Sequence, residues 1–177
     1  MRRNPETANR ICNTLYTMGF DKIIDGITRP KESNTRRGQQ YRNWIREIFR
    51  SLNVDDFKSS THGIAMLQAS EGTALDFCNR ELRAGISKRP DMVAKSGSSY
   101  VIGEAKFLSS SGGNQGRAFD DGMALATNNQ GSAYKVFILD GVHWIDTGSD
   151  QYRRIEYGTA AVFSALLLRE YLASIAR

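Results

Sequence analysis

A chain of 177 residues with 40% hydrophobic and 24% charged side chains and only three prolines has the balance of a folded globular domain, which excludes the disordered and fibrous classes. Its net charge of +5 is concentrated at one end: residues 1–50 hold eleven Lys and Arg against five Asp and Glu, and the rest hold thirteen against fourteen. That asymmetry suits a polyanionic partner or, equally, a solvated basic face.

Two cysteines without C-x-x-C spacing, Cys12 and Cys78, point to buried free thiols rather than a zinc site or a disulfide framework. The longest apolar run, "AAVFSALLL", is too short to cross a bilayer, so the expectation is a cytoplasmic protein without a membrane partner.

The pattern predicts one domain over 1–177, with a helical part over 1–85, a sheet core over 88–145 and a closing helix over 159–175. In "PETANRICNTLYTMGF", Ile11, Leu15 and Met18 recur at helical spacing, with Pro5 fit for a first turn and Gly19 for a stop. "TRPKESNTRRGQQ" reads as a basic loop, and "QQYRNWIREIFRSL" as a helix with Tyr41, Trp44, Ile45, Ile48, Phe49 and Leu52 on one stripe. Residues 64–82 read as helix divided near Gly72 and Thr73. From there the period changes to two. "DMVAK" and "YVIGEAKFL" are predicted strands, "SSSGGNQG" a loop, "RAFDDGMALA" a helix, "AYKVFILD" a buried strand and "VHWIDTG" a further short strand. The fold class is α/β, a central mixed β-sheet flanked by α-helices.

Between the two strands, Gly97-Ser98 has the form of a two-residue type II′ turn. That turn sets the register: Ser96 pairs with Ser99, Lys95 with Tyr100 and Val93 with Ile102, and Asp91 falls opposite Glu104. By alternation Asp91, Val93, Tyr100, Ile102, Glu104 and Lys106 share one face. Opposed carboxylates roughly 5 Å apart repel, and a face carrying Val93 and Ile102 should be covered, so the pair calls for a compensating charge. Mg²⁺, which is held by one or two carboxylates, meets that need, with Lys106 able to balance the remainder. Two solvated strand ends are the alternative.

"RPD" at Arg89–Asp91 followed by "EAK" at Glu104–Lys106 resembles the PD-(D/E)xK nuclease superfamily, over roughly residues 88–141. The resemblance implies a mixed sheet flanked by helices, with Mg²⁺ held by Asp91, Glu104 and the carbonyl of Ala105. It implies that Lys106 orients or activates the attacking water. Many members add an acid from a preceding helix. Glu71, Glu81 and Glu47 are the choices here, and Glu71 is preferred because "GIAMLQASEGTAL" is otherwise uncharged.

Asn114, Gln115 and Arg117 follow the lysine strand and carry side chains that can read adenine and guanine. Arg36, Arg37 and Gln39, with Gln40 and Arg42, form a second surface suited to phosphates. Asn128, Asn129 and Gln130 suit either base contact or a helix end, and His62 and His143 read as structural. The expected activity is that of a type II restriction endonuclease, cutting double-stranded DNA to 5′-phosphate ends as a homodimer, because one centre cuts one strand. A structure-selective or repair nuclease and a non-catalytic DNA-binding module are the alternatives.

Overall fold

Gly97 adopts φ +58°, the turn conformation that glycine takes without strain, and the hairpin it closes is the middle of the sheet. The computed structural model describes residues 5–28, 34–110 and 112–176. The strands are Arg50–Leu52 (β1), Ile64–Leu67 (β2), Met92–Ser96 (β3), Ser99–Leu108 (β4), Tyr134–Gly141 (β5) and Ala161–Phe163 (β6), and they lie side by side in chain order. β2, β3 and β4 are antiparallel neighbours, whereas β1 joins β2, β5 joins β4 and β6 joins β5 in parallel. The observed hairpin pairs, Met92 with Gly103 through Ser96 with Ser99, are those the turn predicts.

The helices are Pro5–Met18 (α1), Phe20–Thr28 (α2), Asn34–Ile48 (α3), Val54–Ser59 (α4), Glu71–Asp76 (α5), Gly113–Thr127 (α6), Asp150–Tyr157 (α7) and Leu168–Ser174 (α8). They cover both faces of the sheet, so alternate residues of the central strands enter different cores. Val101, Val136 and Ile138 pack with Ile45 of α3, Phe49 just after it, and Leu168 and Leu172 of α8. On the opposite face Val93 and Ile102 meet Phe57 of α4, while Phe137 and Leu139 meet Phe119 and Met123 of α6. Burial on both sides explains why "VFIL" is continuously apolar. No helix among the described residues is long and apolar enough to cross a membrane.

Several expected elements differ. "IAML", assigned to a helical stretch, is β2, because a four-residue apolar run carries no usable period and its pairing with β3 decides. The helix starting after it begins at Glu71, where Ser70 accepts a hydrogen bond from the Thr73 amide. "RSL" leaves the α3 pattern to form β1 beside β2.

At the other end, the expected helix over 159–175 is broken by β6 and a 3₁₀ turn. Ser164 stops it: its hydroxyl donates to Asp140 at 2.6 Å and accepts from the Leu166 amide at 3.2 Å. "VHWIDTG" is a 3₁₀ helix followed by turns instead of a strand, with Trp144 Nε1 donating to the Leu139 carbonyl at 2.6 Å.

His143 in that 3₁₀ helix is 1% exposed, stacks on Phe119 at 5.3 Å between ring centroids, and has no partner for either ring nitrogen among the described residues. Burial holds its pKa below the ordinary 6.5. The folded state keeps the ring neutral, while the unfolded chain takes up a proton as pH falls through 6.5. Stability from this group is therefore complete above that value and is lost as pH falls toward the lower folded value. The thermal midpoint is expected to fall more steeply between about pH 7 and about pH 5 in the native chain than in His143→Leu. Parallel curves would show that His143 is protonated equally in both states.

Candidate active site

Glu104 and Lys106 stand two apart on β4 and so point to the same face, and Asp91 is the residue immediately before β3. The Asp91 Oδ2 accepts a hydrogen bond from the Ala105 amide at 3.0 Å. Lys106 Nζ lies 2.7 Å from Glu104 Oε1 and 3.4 Å from Asp91 Oδ2, so one ammonium joins the two carboxylates. The Glu104 side chain is only 5% exposed, against 24% for Asp91 and 27% for Lys106. A carboxylate that far out of water is costly unless it is paired and hydrogen-bonded.

A second cation helps. Lys88 Nζ is 3.1 Å from Glu104 Oε1 and 3.1 Å from Asp121 Oδ2 of α6. Burial works to lower the Lys88 pKa, but the hydrogen bonds to Asp121 and Glu104 outweigh it and hold the ammonium above its usual value. Lys88 directly precedes the "RPD" segment, and that adjacency was its signal in the sequence. Asp121 had none, because its position depends on how α6 packs.

The donors present fit Mg²⁺. Asp91 and Glu104 offer hard oxygens already close enough to share one cationic group. The N–H and C=O of a strand residue point to the same side, so the Ala105 amide bound to Asp91 directs its carbonyl the same way. Among the described residues no three His, Cys, Asp or Glu side chains converge as a metal cluster. Glu71 heads α5, is 83% exposed, and is paired with Arg89 at 3.2 Å. Glu81 is paired with Lys58 at 2.9 Å.

Tyr41 of α3 was legible only as an apolar stripe residue. Its hydroxyl is buried without a partner among the described residues, and burial first, then the charges of Asp91 and Asp140, push its pKa well above the usual value. Burial likewise raises Asp140, against the hydrogen bonds from Ser164 and the Ala165 amide.

Of the residues expected from the sequence to contact DNA, Asn114, Gln115, Arg36 and Arg37 are on helices where loops were expected, and Arg117 and Gln39 are within the helices predicted to include them. α6 begins at Gly113, so Asn114, Gln115 and Arg117 occupy its first turns, with Asn114 and Arg117 exposed. The Gln115 amide serves the β4–α6 junction: its Oε1 accepts from the Ser109 and Ser110 amides at 2.6 and 3.1 Å, and its Nε2 donates to Ser109 Oγ at 3.2 Å.

α3 begins at Asn34 and takes in Arg36, Arg37 and Gln39; residues 29–33 and the side chains of Arg36 and Arg37 lie outside those described. Gln39 bonds Asn43 at 2.9 Å and Arg42 at 3.1 Å along the helix. Asn128 ends α6 and donates to the Ala84 carbonyl at 3.1 Å. His62 contacts the Thr61 hydroxyl at 2.8 Å.

The family model described as Tsp45I type II restriction enzyme matches residues 1–175. Searches of curated proteins and of solved structures return no match. A mixed sheet flanked by helices agrees with a restriction endonuclease-like core. With all but two residues matched, the chain belongs to the Tsp45I type II restriction enzyme family, whose members are site-specific deoxyribonucleases.

Proposed function

We propose that the chain is a Mg²⁺-dependent endonuclease that recognises a defined sequence in double-stranded DNA and leaves 5′-phosphate ends. The observation that carries this reading is the Asp91–Lys106–Glu104 arrangement, in which one ammonium bridges two carboxylates at 3.4 and 2.7 Å. Asp91, Glu104 and the Ala105 carbonyl hold the metal. A bound Mg²⁺ acidifies water and stabilises charge developing on the phosphate.

Lys106 orients the attacking water in line with the leaving oxygen, and its ammonium stabilises the negative charge that develops on the water's oxygen as the proton passes to solvent. Lys88 offsets the charge of the buried Glu104 and fixes the position of its carboxylate. Glu71, joined to the "RPD" segment through Arg89, is the auxiliary acid. Asn114 and Arg117, with Gln115 supporting the turn, contact bases, and Arg36, Arg37 and Gln39 contact the backbone. Two copies related by a two-fold axis cut both strands of a palindromic site in the cytoplasm.

The test is incubation of the purified chain with a long sequenced duplex in Mg²⁺ and, separately, in EDTA. Discrete fragments with uniform ends in Mg²⁺ alone are expected, and their ends give the recognition site. Equal cutting in EDTA would remove the metal from this reading, and fragments with scattered ends would remove sequence specificity.

A further inference from the structure

Beside Asp91 a cleft opens between α3, the C-terminal ends of β1 and β2, and the segment 89–93. Arg42 and Arg46 line it from α3 and Arg89 from the segment before β3, and Ser51 and Gln68 are also in its lining. Among the described residues in its lining, Asp91 is the one acid. Arg42 and Arg46 are one helical turn apart, so both guanidinium stems leave the same side of α3.

Their other contacts leave positive charge in the cleft. Arg89 pairs with Glu71, which is 83% exposed and therefore well screened. Arg42 donates only to a neutral partner, Gln39, at 3.1 Å. Arg46 is exposed and has neither an ion pair nor a hydrogen-bond partner among the described residues. Three arginines lining one concavity raise its positive potential, which a cleft focuses and an entering anion relieves. Planar guanidinium forks match phosphate oxygens.

We propose that Arg42, Arg46 and Arg89 form a phosphate-binding cleft that leads into Asp91 and holds a backbone phosphate of the cut strand beside the scissile one. This rests on the reading of Asp91 as a catalytic residue. The contact is to the backbone, so it adds affinity and register without sequence preference. The cleft thereby links the basic first fifty residues to the chemistry on β4.

The test uses the full chain with Arg46→Ala, which breaks no internal bond, and with Arg42→Ala as a second variant. Binding is measured by fluorescence anisotropy in EDTA, across a salt series, on one duplex with the recognition site and one without it. Each variant is expected to weaken binding about five- to tenfold on both duplexes and to lower the salt slope by about one. Arg46→Lys should restore the slope.

A duplex with one neutral methylphosphonate beside the cut position should bind the native chain about as weakly as Arg46→Ala binds unmodified DNA, without further loss when the two changes are combined. Unchanged affinity and slope in both arginine variants would overturn the proposal, as would loss confined to the duplex carrying the site. Because binding is read in EDTA, failure of the chain to cut DNA in Mg²⁺ would count against the nuclease reading, while the loss of affinity and of salt slope in the arginine variants is still read on any one duplex and still decides the phosphate contact.

Discussion

Asp91→Ala, Glu104→Ala and Lys106→Ala are each expected to lower cleavage of duplex DNA by about a thousandfold or more, the range for losing a charge-stabilising or proton-transferring group. Their effects on stability should differ, because the contacts differ. Without Glu104, Lys106 still has Asp91 at 3.4 Å and Lys88 still has Asp121 at 3.1 Å, so no charge is stranded.

Without Lys106, a 5%-exposed carboxylate faces Asp91 with only Lys88 beside it, and that ammonium is shared with Asp121. Lys106→Ala is therefore expected to lose about 3 kcal/mol of stability in the absence of metal, clearly more than Glu104→Ala. Single-turnover cleavage and thermal unfolding check the two halves separately. Near-native turnover by any variant would remove that residue from the catalytic set, and equal unfolding midpoints would show that Lys106 does not compensate Glu104.

Gly122→Val should be the most damaging change far from the carboxylates. A Cβ at Gly122 would come within 2.3 Å of the Phe137 ring, which is fully buried between α6 and β5. The ring also packs edge-on to Phe119 at 5.7 Å, so it has little room to withdraw. Overpacking of this kind costs about 3 kcal/mol, which corresponds to a fall of about 6–12 °C in the thermal midpoint. Asp121 is the neighbouring residue, so lifting α6 also draws the Asp121 carboxylate from Lys88. Cleavage by Gly122→Val is thus expected to fall even below its unfolding temperature. A native midpoint would mean that Phe137 can repack around the new side chain.

The central hairpin was legible because Gly97-Ser98 permits a tight turn and the flanking strands keep a period of two. β5 was legible because the continuous run Val136–Leu139, rich in β-branched and aromatic side chains, suits a strand buried on both faces. β2 and β6 were not, since four and three residues are too few to show a period and only their neighbours make them strands. The trio Asp91, Glu104 and Lys106 could be read from chain order plus register. Lys88 and Asp121 meet through tertiary packing of α6, and Arg46 and Arg89 face one cleft only once α3 lies beside the sheet. The early start of α6 was hidden by Gly112 and Gly113, which read as loop but serve as its cap and first residue.

Both margins of the sheet, β1 and β6, are three residues long. A margin that short presents few unpaired backbone groups, so it is a poor template on which another chain could extend the sheet. The fold is accordingly guarded against edgewise aggregation despite the strongly apolar strands at its centre. The same brevity restricts how two copies could associate: their contact has to be made by helices and loops, leaving each sheet to end within its own molecule.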